Sequence, residues 1–406
     1  VNKNDKNQTK PQTEQVQPKI LLKVKEKEPA TPHISIATRE HSLDPTATPS
    51  PNTIGVHSKD KEAPQNATVF SEQPVVPVPS MSRPITLISS INFQMNTNSM
   101  KVLMKNNTDF FVVGVIGTQG AGKSTIMNLL ATDRCNFDIY NSLFKEKGGF
   151  FPVKFKPGKA SSMPRTESVH MFITKDRMIL LDCPPVLCNS FKRDAATNEL
   201  DDTKMIILLL TVCHLVIVVQ DDNINLNLIR LLQFAELTKP HQDGKAFVND
   251  YFPNILFVKN RAKRNDFLST ERQRIEKILK GFFKDSQLKI LSGQTEKLKR
   301  SKQSDAERNV SYFVFPEVKG EKFSSFHQSL EILVGELRNQ VFMTPRNQIC
   351  NGTTDFTEAM WFEMLTAATL QKNQFLLNTY EEVRRCHTHS GSDQGGKTMN
   401  YVDVID

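Results

Sequence analysis

Blocks of apolar residues divide the chain after about residue 85 into predicted strands and helices that follow one another in turn. Unbroken apolar runs predict buried strands at Phe110–Ile116, Leu215–Val219, Asn254–Lys259 and Tyr312–Phe315. Apolar residues at helical spacing predict helices directly after Gly122, at 226–237, and at Thr270–Lys284, Phe326–Phe342 and Thr357–Val383. Two further runs, Val169–Thr174 and Met178–Asp182, predict a hairpin. The alternation elsewhere predicts an α/β fold with a mainly parallel sheet and helices on both faces.

The longest apolar run, Met205–Val219, could be mistaken for a membrane span. It has only 15 residues and contains His214, whereas a spanning helix needs about 20 apolar residues. We interpret it as the buried end of a helix followed directly by the strand Leu215–Val219, and we expect no membrane partner.

The turn between the first buried strand and its helix matches the phosphate-binding pattern G-x-x-x-x-G-K-[ST]. The motif occupies Gly117, Thr118, Gln119, Gly120, Ala121, Gly122, Lys123 and Ser124, with Thr125 next in the helix. Glycines allow the backbone N–H groups to approach a phosphate closely, and the positive end of the helix dipole favours the anion. Lys123 would reach the β- and γ-phosphates. The motif and its context predict a P-loop NTPase fold, and the chain resembles a small-GTPase-like G domain.

Three oxygen-bearing residues are candidate Mg²⁺ ligands. Ser124 would offer its hydroxyl to the metal, and Asp182, after four apolar residues, would organise Mg²⁺ through water. An ordinary aspartate at a strand end is the alternative for Asp182. Thr166, in the segment before the hairpin, is a second hydroxyl candidate, with no preference over a purely structural threonine.

The positions expected to read the base and to promote hydrolysis depart from the pattern of small GTPases. Asn260 and Arg261 are the tentative base-binding residues, but Lys263 stands where a carboxylate should recognise guanine. Pro185 replaces the glycine that follows Asp182, and proline has no N–H for the γ-phosphate. Val186 cannot orient a water molecule. We therefore expect binding of GTP or GDP, with ATP as an alternative and Mg²⁺ as cofactor, and weak or no hydrolysis; no residue is assigned as catalytic.

Composition predicts a domain with low-complexity flanks. Of 21 prolines, 12 precede residue 85, and 1–95 is polar with few aromatics, which predicts a disordered region. Order is expected to begin near the strand-like run at 85–88. We assign 96–345 to the G-like domain with a flexible loop at 285–309. Residues 346–385 hold a helix that packs on the domain or on a partner, and 386–406 form a flexible tail.

Net charge and cysteine content bear on the expected partners and on the cellular compartment. The net charge of +8 suggests acidic partners, but a solvated basic surface is the commoner explanation, so direct nucleic-acid binding is not expected. The six cysteines form no C-x-x-C pair, and no secretory segment lies near the start. These features favour a reducing compartment, the cytoplasm with the nucleus as a further location.

Several stretches resemble one family, the ninth-Smg nonsense-mediated mRNA decay factors, over most of 108–383. They are Phe111–Ser124, Phe172–Arg177, Thr211–Asp221, Asn260–Phe267 and Met360–Phe362. The resemblance implies a G-like domain that pairs with the eighth Smg protein. It also implies an adaptor role, because that pair restrains and positions a phosphatidylinositol-kinase-related kinase. The implied link to the Upf helicase and to mRNA is indirect.

Two other functions share the phosphate-binding motif. An autonomous GTPase switch or dynamin-like enzyme would need catalytic groups from a partner, and it would show multiple turnover of GTP. A small-molecule or nucleoside kinase ranks last, since the sequence offers no cluster of arginines typical of a lid. We therefore predict that the protein is an adaptor.

Overall fold

A computed structural model describes residues 81–89, 93–132, 149–153, 164–189, 195–221, 224–239, 251–293, 308–318, 326–350, 355–369 and 378. All of these lie in one compact unit, 74–406. The predictions for most of 1–95, for 294–307 in the predicted loop, and for the tail at 386–406 fall outside the described residues. So does the predicted helix beyond 369, apart from residue 378.

The described strands form a seven-stranded sheet of order β1-β3-β4-β2-β5-β6-β7. Strands β4, β2, β5, β6 and β7 are parallel, whereas β1, β3 and β4 pair antiparallel. The predicted mainly parallel sheet with one hairpin, β3 and β4, is therefore confirmed. The bounds are β1 Ile85–Ile88, β2 Phe111–Ile116, β3 Val169–Ile173, β4 Met178–Asp182, β5 Leu215–Gln220, β6 Asn254–Ala262 and β7 Tyr312–Pro316.

Helices cover both faces of the sheet, as the alternating pattern predicted. Along β2, Phe111, Val113 and Val115 face one core and Val112 and Ile116 the other, since successive strand residues point to opposite faces. The first core also receives α1 and α5, and the second receives α2, α3, α4 and α6. The bounds are α1 Lys123–Ala131, α2 Ala195–Val212, α3 Leu226–Leu237, α4 Ser269–Phe282, α5 Leu330–Phe342 and α6 358–369.

Two element boundaries differ from the sequence prediction for local reasons. Helix α5 begins at Leu330 rather than at Phe326, because the Ser329 hydroxyl caps it by accepting from Ile332 N. Strand β6 continues past Lys259 to Ala262 through an irregularity that brings Ala262 opposite Pro316. The extension matters for the site, since it places Asn260 and Arg261 on the strand.

The apolar run at 205–219 is divided as predicted between the end of α2 and strand β5. Within the part of the chain that the structure describes, no helix has the length and apolar character needed to cross a membrane.

Helix α6 packs on the sheet through a buried tryptophan. The Trp361 side chain is fully buried, and its indole Nε1 donates to Val212 O at the end of α2 at 2.9 Å. Phe362 and Leu365 join the same core. This helix is therefore part of the folded unit.

A buried ion pair fixes the start of α6. Glu358 is fully buried, and its carboxylate accepts hydrogen bonds from both Nε and Nη2 of the Arg177 guanidinium, with Nε at 2.7 Å from Oε1. Asn107 Nδ2 donates to the same carboxylate at 2.7 Å, and Met104 N donates at 2.8 Å. Because the Glu358 carboxylate accepts from the Arg177 guanidinium and from two further donors, the cost of burying its charge is offset. The ion pair ties α6 to the hairpin turn between β3 and β4.

Candidate functional site

The glycine-rich loop, 117–122, connects β2 to α1 at the carboxyl edge of the central strands. Gly122 precedes the helix in the left-handed region, with φ of 98°, and no side chain caps α1. A Cβ at Gly122 would lie 2.0 Å from Asn260 Nδ2, and one at Gly117 would lie 2.4 Å from Val219 O. The loop is thus packed closely against β5 and β6, and the first amide groups of α1 are left to an outside acceptor.

The Lys123 ammonium lies under the loop. Lys123 is buried, and its Nζ donates to Gly117 O and Thr118 O, each at 3.1 Å. Burial lowers the pKa of Lys123, an effect that the nearby Asp182 partly opposes. A cation held in this way carries a desolvation cost that an anion above the loop would relieve.

Ser124, Thr166 and Asp182 form a hydrogen-bonded group beside the loop. Ser124 Oγ donates to Asp182 Oδ2 at 2.7 Å, Thr166 Oγ1 donates to the same oxygen at 3.3 Å, and the two hydroxyl oxygens are 3.2 Å apart. Burial raises the pKa of Asp182 to about 6, while the hydroxyl bonds and Lys123 act in the opposite direction. The structure therefore brings together all three residues predicted as metal ligands.

The oxygen atoms of this group are of the kind that Mg²⁺ prefers as ligands. The fully buried Asp182 Oδ1 has no hydrogen-bond partner among the described residues, so this oxygen is available as a ligand to a cation. Within the same residues no group of three or more His, Cys, Asp or Glu side chains is placed to hold a metal. A cation here would depend on hydroxyls, one carboxylate, water and ligand oxygens, a donor set that suits Mg²⁺.

The segment after Asp182 is fastened to the glycine-rich loop. Val186 N donates to Gly117 O at 3.2 Å, and Cys188 Sγ donates to Gln119 Oε1 at 2.8 Å. Pro185 lines the cleft above the loop. The Cys188–Gln119 contact could not be predicted from the sequence, because it joins residues 69 positions apart.

The two predicted base-binding residues have different surroundings. Asn260 is buried, and its Nδ2 donates to Ala121 O at 2.7 Å, so the side chain braces the glycine-rich loop. Arg261 has a φ of 52° and is exposed. Its Nη1 lies 2.9 Å from Asp221 Oδ2. Arg261 also lines the cleft above the loop.

An open cleft lies over the glycine-rich loop. Besides the predicted loop residues it is lined by Pro152, Val153, Pro164, Arg165 and Thr166. Arg165 was not among the predicted site residues, although it directly precedes Thr166. Its Nη1 donates to Val153 O.

Replacing Gly122 by alanine is expected to disrupt the loop more than the same change at Gly120. Both residues have positive φ, which costs alanine about 1 kcal/mol, but a Cβ at Gly120 meets nothing within 4 Å. A Cβ at Gly122 would displace the Asn260 amide from Ala121 O. Chemical denaturation of the two variants measures the difference. Equal destabilisation would contradict the close packing of Gly122 against Asn260.

Together these elements define a mainly parallel α/β protein. A candidate anion cradle and a hydroxyl–carboxylate group lie side by side at the carboxyl edge of its sheet, where open α/β sheets bind ligands.

The chain is a homologue of the proteins named SMG9. It is 35% identical over 317 residues to Protein SMG9 of Drosophila melanogaster, which is 76% of this chain and 62% of that protein. It is 28% identical over 349 residues to the nonsense-mediated mRNA decay factor SMG9 of Xenopus laevis, covering 72% of this chain and 65% of that protein. The Caenorhabditis elegans factor is 26% identical over 202 residues, 47% of this chain and 50% of that protein.

These relatives confirm the family resemblance seen in the sequence. The chain spans less than two thirds of the length of each of the three. No family model matches it.

Proposed function

We propose that this chain is a nucleotide-binding adaptor subunit of the nonsense-mediated mRNA decay machinery. The observation that carries the proposal is the placement of one buried lysine, one uncapped helix and the Ser124–Thr166–Asp182 group around a single cleft. Lysine and helix amides suit a phosphate, and the oxygen group suits the Mg²⁺ that accompanies nucleotide phosphates. The homology to SMG9 proteins supports the cellular role.

The proposed ligand is a guanine nucleotide, GTP or GDP, with ATP as the alternative. Asn260 is retained at the edge of the site and is bonded to the loop backbone. Lys263 stands where a carboxylate would accept from guanine. The backbone N–H of Lys263 donates to Asp266 Oδ2 at 2.7 Å. The residues at the base-reading positions thus match guanine recognition less well than the glycine-rich loop and Lys123 match phosphate binding. When bound, Mg²⁺ would supply charge neutralisation between the phosphates, held by Ser124 and Thr166 with Asp182 acting through water.

We infer that the site binds its nucleotide with little turnover. Pro185 lines the cleft but has no N–H to donate to a terminal phosphate. Val186 is buried, apolar and bonded through its backbone to Gly117, so it cannot orient an attacking water. Without such groups the Lys123 cradle holds a ligand but does not activate water.

The proposed partners follow from the family. They are the eighth Smg protein as a G-like heterodimer partner and the phosphatidylinositol-kinase-related kinase that phosphorylates the Upf helicase. The chain would contribute to a scaffold that regulates this kinase, in the cytoplasm and also in the nucleus. Its contact with mRNA would be indirect.

Affinity capture from cell extract tests the adaptor role. Tagged wild-type chain is expected to recover a giant kinase and a second G-like subunit, identified by mass spectrometry. Lys123→Met, which keeps the length of the side chain and removes its charge, then reports whether bound nucleotide is needed for assembly. Recovery of neither partner by the wild type would contradict the proposed role.

A further inference from the structure

The mouth of the cleft carries two arginines from separate parts of the chain. Arg165 directly precedes Thr166 in the segment before β3, and Arg261 lies near the end of β6. Both line the cleft above the glycine-rich loop. They therefore stand at the opening of a site whose floor already holds the buried Lys123.

The two guanidinium groups carry like charges and line the same cleft. Partial burial lowers the pKa of Arg165, and the positive charge of Arg261 lowers it further. Like charges that share a cleft repel, and an anion between them removes the repulsion. A polyphosphate chain, with several negative charges in a row, fits such a pair better than a single small anion does.

The ion pair that Arg261 makes with Asp221 is one that a phosphate could replace. Arg261 pairs with Asp221 at the surface, where both side chains keep substantial exposure, and such pairs contribute little stability. A phosphate can replace that carboxylate because guanidinium groups bind both in the same bidentate way. Arg165 is bonded to Val153 O, another residue of the cleft wall.

The backbone of Arg261 supports the same conclusion. Its φ of 52° is unusual for a residue with a side chain, and it falls at the irregularity between β6 and β7. Residues held in this region of backbone conformation cluster at active sites and ligand-binding sites, and Arg261 lines the cleft.

We propose that Arg165 and Arg261 form a clamp for the polyphosphate of the ligand, so that affinity rises with the number of phosphates. The proposal rests on the proposed nucleotide site and goes further, because it assigns phosphate-binding roles to Arg165, which sequence analysis did not single out, and to Arg261, which was expected to contact the base. The clamp makes the site selective for triphosphates over monophosphates, whichever base is attached.

Equilibrium titration of the chain with mono-, di- and triphosphates of guanosine and adenosine, each with Mg²⁺, tests the clamp. Arg165→Ala and Arg261→Ala are each expected to weaken triphosphate binding about tenfold, the range for lost hydrogen bonds to a charged group. Monophosphate binding is expected to stay at the wild-type level. Arg165→Lys should restore part of the lost affinity, since lysine keeps the charge but not the fork.

Arg264→Ala is the matched control. Arg264 is an exposed arginine in the short helix after β6 and does not line the cleft, so its removal should leave all affinities unchanged. Unfolding curves of all variants establish that the fold is retained.

Three outcomes would overturn the clamp, and they can be told apart. Unchanged triphosphate affinity in both Arg165→Ala and Arg261→Ala removes the clamp and leaves the nucleotide site. Equal losses for mono- and triphosphates point to base or structural roles instead. Failure of the wild-type chain to bind any of the six nucleotides overturns the proposed site and the clamp together.

Discussion

Replacing Lys123 by methionine is expected to weaken the binding of GTP and ATP strongly while leaving the fold intact. The ammonium would lose its bonds to the ligand phosphates, and the expected loss is about 3 kcal/mol, or about 100-fold in affinity. The unliganded protein should not be destabilised, because the buried charge carries a desolvation cost, as its lowered pKa indicates. Calorimetric titration and denaturation of the same preparations measure the two effects.

The control for this variant is Lys101→Met, which changes an exposed lysine that does not line the cleft. It should bind nucleotide as the wild type does. If Lys123→Met binds both GTP and ATP with wild-type affinity, the assignment of the phosphate site is wrong. A large loss of stability together with a loss of binding would point to a structural role for Lys123.

Replacing Trp361 by alanine is expected to cost about 3 to 5 kcal/mol of unfolding free energy. The side chain is fully buried between α6 and the sheet, and its indole N–H is bonded to Val212 O. The alanine variant leaves both a cavity and an unpaired buried carbonyl. Chemical denaturation followed by circular dichroism measures the change without requiring a tryptophan signal.

Two further variants divide this effect and control for it. Trp361→Phe keeps one aromatic ring but loses the hydrogen bond and part of the indole volume, so a smaller cost of about 1 to 2 kcal/mol is expected. Met343 is 83% exposed, and Met343→Ala should change stability by less than about 0.5 kcal/mol. If Trp361→Ala behaves like Met343→Ala, α6 does not contribute to the stability of the domain as described.

The sheet and its central turn could be predicted because their signals are local. The apolar run of β2, the glycine-rich loop and the apolar face of α1 are contiguous in sequence, and the structure has strand and helix there. Asp182 ends β4 next to β2, and pairing in parallel register brings it opposite Val115, near the loop. A residue at the carboxyl end of one parallel strand can thus be predicted to lie near the residues at the carboxyl end of the neighbouring strand.

What the sequence could not predict depends on contacts between distant residues. Arg177 and Glu358 are 181 positions apart, and the residues next to them in sequence do not indicate an ion pair. Cys188 reaches Gln119, and Arg165 reaches the cleft, only because the chain folds back over the loop. The extension of β6 was missed because Asn260 and Arg261 are polar, although pairing with β7 continues beyond them.

Phosphate release under multiple-turnover conditions tests the central claim that this chain binds a nucleotide without consuming it. Purified chain would be incubated with Mg²⁺-GTP or Mg²⁺-ATP in excess, with Lys123→Met as the background. The account predicts that wild type binds nucleotide and releases phosphate no faster than the variant. Sustained release by the wild type that Lys123→Met abolishes would contradict the account and establish an NTPase.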